Sequence, residues 1–161
     1  MEVAVVTHLT TLLAEHLLDK RWMLATAESC TGGMIAAHCT DLSGSSAWFE
    51  RGFVTYSNEA KTQLLGVPSD LIVKDGAVSE SVARAMALGA CYRSTAQISV
   101  AVTGIAGPAG GSVEKPVGTV WLAWCVGGIA QAEVRLFSGD RAQIRQATVY
   151  AALEGLIKRI A

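Results

Sequence analysis

Trp22-Met23-Leu24-Ala25-Thr26-Ala27-Glu28-Ser29-Cys30-Thr31-Gly32-Gly33-Met34-Ile35-Ala36-Ala37-His38-Cys39 is the stretch on which the reading of this chain turns. Trp22-Met23-Leu24 reads as the end of a buried strand and Met34 to Cys39 as a helix. A serine, several small residues and a glycine pair therefore fall where strand becomes helix. Such a junction leaves backbone N–H groups unused by any helical turn, and the helix dipole adds partial positive charge beside them. A hydroxyl on that turn has a ready oxyanion hole, which is the logic of a nucleophile elbow. The glycines let a substrate approach the backbone closely. A simpler use of the same residues is that Ser29 or Thr31 only caps the helix, and the rest of the chain has to decide.

On the N-terminal side, Val5, Val6, Leu9, Leu12, Leu13, His16 and Leu17 recur at three- and four-residue spacing and predict an amphipathic helix over 3–20. On the C-terminal side, the polar turn Ser43-Gly44-Ser45-Ser46 precedes a strand over Gly52–Tyr56 and a helix capped by Ser57 that ends at Gly66-Val67-Pro68. Asp75-Gly76 marks a turn, and Ser79 caps a helix running to about Arg93. Ile98–Val102 is a strongly apolar strand that feeds the glycine-rich loop Thr103–Gly111. Val117–Val126 and Ile129–Phe137 form a hairpin at Gly127-Gly128, and Ser138-Gly139-Asp140 starts the last helix. No repeat, linker or low-complexity stretch interrupts residues 1–161, so one α/β domain is expected. The order α-β-α-β-α-α-β-β-β-α predicts a mixed sheet covered by helices on both faces. Ligands bind such sheets outside strand C-terminal ends, and the loops at Ser29, Tyr56–Lys61 and Thr103–Gly111 each follow a strand.

Composition removes whole classes of function. Hydrophobic residues make up 51% and charged residues 17%, a compact apolar chain rather than a disordered one. A formal net charge of -1 lacks the basic footprint of a non-specific nucleic-acid binder. The longest apolar run, Val120–Val126, has strand length, whereas a membrane span needs roughly 20 residues. Met1-Glu2-Val3 opens no basic segment with an apolar stretch and cleavage site behind it, so a cytoplasmic protein is expected. Cys30, Cys39, Cys91 and Cys125 form no C-x-x-C pair and are expected as reduced, mostly buried thiols, with Cys30 an alternative nucleophile beside Ser29. His8, His16 and His38 belong to no acidic cluster, so no metal centre is expected and nothing recommends a Ser-His-Asp triad.

Tyr56-Ser57-Asn58-Glu59-Ala60-Lys61 is the second constellation. Serine is a poor nucleophile until a base takes its proton, and lysine serves once desolvation or nearby positive charge depresses its pKa. If both face the crevice, Lys61 activates Ser29 and Tyr56 orients the lysine or relays a proton; otherwise they are a solvated helix lysine and a strand-edge tyrosine. The loop over 104–111 matches neither a Walker motif nor a strict dinucleotide fingerprint, and Lys115 follows its glycines at the wrong distance. It serves equally as an anion-binding or lid loop and as a plain surface loop. Arg141 and Arg145, at the start of the last helix, suit a phosphate or carboxylate, or simply a solvated face.

Ala27-Glu28-Ser29-Cys30-Thr31-Gly32-Gly33, the segment from Gly44 to Asn58, Gly76-Ala77-Val78-Ser79-Glu80, Thr103-Gly104-Ile105-Ala106-Gly107-Pro108, Lys115-Pro116-Val117-Gly118-Thr119-Val120 and Ser138-Gly139-Asp140-Arg141 together resemble the CinA C-terminal domain family, in the same order over nearly the whole chain. The partner domain of full-length CinA proteins, which resembles molybdopterin-binding proteins, is not expected here. The resemblance implies an α/β/α sandwich, frequent homodimers, and an amidohydrolase acting on a linear amide. That enzyme deamidates nicotinamide mononucleotide to nicotinic acid mononucleotide and ammonia, without cofactor or metal, in pyridine-nucleotide recycling. Carried over by motif, Ser29 is the nucleophile, Lys61 the general base and Tyr56 its partner. Cys30, Thr31, Gly32 or Gly33 supply the oxyanion hole, Thr103 and Gly104 line the substrate, and Arg141 holds it through phosphate, with Arg145 and Asn58 left open. Two other readings stand beside this one: a pyridine-nucleotide-binding or regulatory module without turnover, and an amidase for a different small amide.

Overall fold

Leu24–Glu28 (β1) is buried along its whole length, and the sheet is built around it. The computed structural model describes residues 3–161. The strand begins at Leu24 rather than ending there, which corrects the sequence reading. A central parallel strand covered on both faces loses the polar–apolar alternation that marks a strand. Its small Ala25 and Ala27 belong to the core on one side, while Leu24 belongs to the core on the other.

Val3–Lys20 (α1) precedes β1, and Met34–Thr40 (α2) leads into Phe49–Val54 (β2) through a short helical turn at Ser45–Ala47. Asn58–Leu65 (α3), Ser69–Asp75 (α4) and Glu80–Tyr92 (α5) then cross to Ile98–Gly104 (β3). Thr119–Val126 (β4) and Ile129–Leu136 (β5) form the hairpin, and Arg141–Ile160 (α6) closes the chain. The sheet order is β2-β1-β3-β4-β5. β2 and β3 flank β1 in parallel, and β4 and β5 continue antiparallel. The chain thus leaves β1 toward one side and returns on the other, so the end of β1 is the topological switch point of the sheet.

The helices form two outer layers, as expected. α1, α2 and α6 cover one face over Leu13, Leu17, Val100, Leu122 and Leu153. α3, α4 and α5 cover the other over Leu65, Ile72, Met86 and Ala101. β2 differs from its expected bounds: it starts at Phe49 and stops at Val54, leaving Thr55 and Tyr56 past its end. α4 was not expected. Pro68 accepts its first amides at Leu71 and Ile72, and Ile72 alone is buried, so two turns carry no readable stripe. No helix among the described residues is long and apolar enough to cross a membrane.

Candidate active site

Side chains alternate along β1, so Ser29, one step past Glu28, falls on the α3 side of the sheet. α3 is aimed by its cap: Ser57 Oγ accepts from the Ala60 N–H at 3.0 Å. One turn in, Lys61 is 1% exposed, with Nζ 2.9 Å from Ser29 Oγ, 2.9 Å from the Thr55 carbonyl and 3.3 Å from the Tyr56 carbonyl. A neutral amine carries two N–H donors and one lone pair, which match two carbonyls and one hydroxyl donor. Burial holds the Lys61 pKa below its usual lysine value, favouring that form. In it, the Ser29 O–H donates to Nζ; when Lys61 is charged, Nζ donates to Ser29 Oγ.

The dyad opens onto a cleft of about 290 Å³ that is also lined by Cys30, Tyr56, Asn58, Ala77, Val78, Thr103, Gly104, Gly107, Gly110 and Arg141. The three loops that follow β1, β2 and β3 therefore meet at one edge. Arg141 Nη1 donates to the Gly107 carbonyl at 2.7 Å and Nη2 to the Tyr56 phenol oxygen at 3.1 Å, so Arg141 stands at the cleft wall. Arg145 does not. Its Nε and Nη2 donate to the Cys30 and Thr31 carbonyls, both at 3.1 Å, and grip the turn. Tyr56 also departs from expectation: its backbone carbonyl meets Lys61, while its phenol points across to Arg141. The Thr103 hydroxyl donates to the Ala77 carbonyl at 2.9 Å.

The α2 N-terminus is not the open donor set that the sequence predicts. The Ile35 and Ala36 N–H groups donate to the Glu28 carboxylate at 2.8 and 3.0 Å, and the Met34 N–H donates to the Thr31 carbonyl at 3.1 Å. The Gly32 N–H closes the turn onto the Ser29 carbonyl at 3.0 Å, so it is not free for an oxyanion. Among the described residues, the turn amides without such a partner are those of Cys30, Thr31 and Gly33. Only Cys30 of these lines the cleft; Thr31, Gly32 and Gly33 do not.

Burial pushes the Cys30 thiol up to about 11, so it stays protonated at neutral pH and is the weaker nucleophile of the adjacent pair. All four cysteines are unpaired, with Cys91 half-buried and the others buried. His38 pairs with Asp41 at 3.5 Å, and none of the three histidines lines the cleft. Among the described residues no group of three or more His, Cys, Asp or Glu side chains is placed to hold a metal ion. Sequence reasoning missed Thr55, whose contribution is a backbone carbonyl, and Glu28. The signal for Glu28 was legible: α2 starts at Met34 behind Gly33, which offers no side-chain cap, and an acidic residue stands one short turn upstream at the end of β1.

Comparison with known proteins follows the same outline. The pattern of the CinA C-terminal domain matches residues 6–160. Nicotinamide-nucleotide amidohydrolase PncC of Pseudomonas putida is 55% identical over 153 residues, covering 95% of this chain and 96% of that protein. A CinA-like protein of Geotalea daltonii is 58% identical over 139 residues, 85% of this chain but 33% of that longer protein. Among solved structures, competence/damage inducible protein CihA from Agrobacterium tumefaciens superposes with a TM-score of 0.94 at 47% identity, covering 98% of each chain.

Proposed function

The chain belongs to the CinA C-terminal domain family, and from that premise we propose that it hydrolyses the carboxamide of nicotinamide mononucleotide, giving nicotinic acid mononucleotide and ammonia. The observation that carries the reading is the 2.9 Å contact between Ser29 Oγ and Lys61 Nζ, both out of water, at the switch point of the sheet. In this mechanism Ser29 attacks the amide carbon while Lys61 takes its proton. The developing oxyanion faces the Cys30 N–H. Ammonia leaves with the proton returned by Lys61, since the Tyr56 phenol is turned toward Arg141. Water, deprotonated by Lys61, then hydrolyses the acyl-enzyme. Arg141, which lines the cleft beside the Gly107–Gly110 loop, holds the phosphate. The same reading places the protein in the cytoplasm, where its four unpaired thiols stay reduced, in pyridine-nucleotide recycling, and as a homodimer, as the family resemblance implies.

The test compares nicotinamide mononucleotide with free nicotinamide. Binding energy from the phosphate favours the nucleotide in kcat/KM by roughly 10²-fold or more. Equal turnover of both amides contradicts the substrate assignment and favours an amidase for another small amide. No turnover, with the nucleotide still raising Tm, identifies a binding module instead.

A further inference from the structure

We propose that Glu28 is the positioning residue of the nucleophile turn, a role that rests on the serine–lysine reading above. Its side chain is fully buried, and its carboxylate is met by O–H and N–H donors rather than by a cation: Thr31 Oγ1 at 2.6 Å, Ile35 N at 2.8 Å and Ala36 N at 3.0 Å. A buried carboxylate is costly unless its oxygens are satisfied. Gly33 holds the N-cap position at φ +105°, a left-handed conformation that strains serine or threonine, so no local side chain caps α2. The carboxylate does what a local cap cannot: it ties the last residue of β1 to the first turn of α2 and to Thr31. Ser29 and Cys30 are thereby enclosed between two fixed points.

Arg145 completes the brace from α6 by holding the Cys30 and Thr31 carbonyls. Peptide planarity then turns the Thr31 and Gly32 N–H groups away from α6. Glu28 also compensates the positive end of α2, so the Cys30 N–H, not the helix end, is left to meet the oxyanion. Its effect therefore falls on the reactivity of Ser29 and not on the cleft walls that hold substrate.

The experiment measures labelling of Ser29 by diisopropyl fluorophosphate, followed by mass spectrometry, beside kcat and KM for nicotinamide mononucleotide. In labelling, the Ser29 Oγ–P bond forms, fluoride leaves, and Lys61 takes the serine proton. Glu28→Gln keeps the volume but turns an NH₂ toward N–H donors, and it lowers both the labelling rate and kcat by roughly 30-fold or more, with KM within about threefold. Thr31→Val removes only the 2.6 Å bond and lowers both by about tenfold, which keeps the test open if Glu28→Gln does not fold. Leu13→Ala, in the core beneath α1 and outside the cleft, lowers Tm but leaves labelling unchanged. Labelling of the folded Glu28 or Thr31 variants at the wild-type rate overturns the proposal, as does an equal loss in Leu13→Ala at matched Tm. A wild type labelled at Ser29 that releases no ammonia overturns the substrate assignment and supports the Glu28 role through labelling alone. An unlabelled wild type overturns the dyad and this proposal together.

Discussion

Replacing Lys61 by methionine removes the base while keeping an unbranched chain in the same buried slot. In the wild type, Nζ makes contacts of 2.9 Å to Ser29 Oγ, 2.9 Å to Thr55 O and 3.3 Å to Tyr56 O. Loss of a general base lowers kcat by roughly 10²–10⁴-fold, about 3–5 kcal/mol of barrier. The effect on folding has the opposite balance. Two carbonyls lose a donor, about 1–3 kcal/mol each if nothing replaces it, while a desolvated amine is exchanged for an apolar thioether. The net is held to about 2 kcal/mol in either direction, roughly 4–8 °C in Tm for a domain of this size. The assay is ammonia release beside a thermal melt, across pH. Wild-type kcat/KM rises with pH as Lys61 loses its proton, with a midpoint below the ordinary lysine value of 10.5, and this limb is missing in Lys61→Met. Wild-type stability also rises between the depressed native pKa and 10.5, where the unfolded chain holds the extra proton, and Lys61→Met loses that rise. A folded Lys61→Met protein with more than about a tenth of wild-type kcat refutes the reasoning, because a general base is worth at least 10²-fold.

Cys30→Ala keeps kcat within about threefold at neutral pH, since a thiol pushed up to about 11 is not the nucleophile; loss of activity with Ser29 intact overturns that assignment. Arg141→Ala raises KM for nicotinamide mononucleotide and lowers kcat/KM by roughly 10–100-fold, consistent with losing a charged hydrogen bond of about 1.5–3 kcal/mol. The same variant leaves turnover of an unphosphorylated amide within a fewfold, and an equal loss for both substrates shows that Arg141 acts on the turn loops rather than on phosphate.

What the sequence revealed and what it hid divide along physical lines. α1 was legible to its ends because its buried residues keep helical period. The caps at Ser57 and Ser79 were legible because each is a short polar side chain ahead of a helix, and each accepts the bond expected of it; within Ser138-Gly139-Asp140, the structure gives the cap to Asp140. β1 was misplaced because Ala-Thr-Ala-Glu has low β-propensity and no alternation, and pairing with β2 and β3 between two helical layers makes it a strand. Gly89 is another such case: a Cβ there would run into the Leu65 carbonyl, so this glycine lets α5 lie against the helix that carries Lys61. Ser29 and Lys61 were both nameable as candidates, yet their meeting depends on a strand order that local pattern does not encode. Arg141 and Arg145 were indistinguishable, four residues apart on one helix face. A rise of about 6 Å between them is what sends one to the Gly107 loop and the other to the Cys30 turn. Tyr56 was expected at a strand end but lies two residues past β2, and the direction of its phenol is set by Arg141, 85 residues away.

Ammonia release from nicotinamide mononucleotide by purified wild type and Ser29→Ala, side by side, tests the central claim most directly. The account predicts one ammonia for each nicotinic acid mononucleotide from the wild type. It predicts a residual kcat of about 10⁻³ or less in a Ser29→Ala protein that still melts cooperatively and binds the nucleotide. Turnover by Ser29→Ala at the wild-type rate would contradict it.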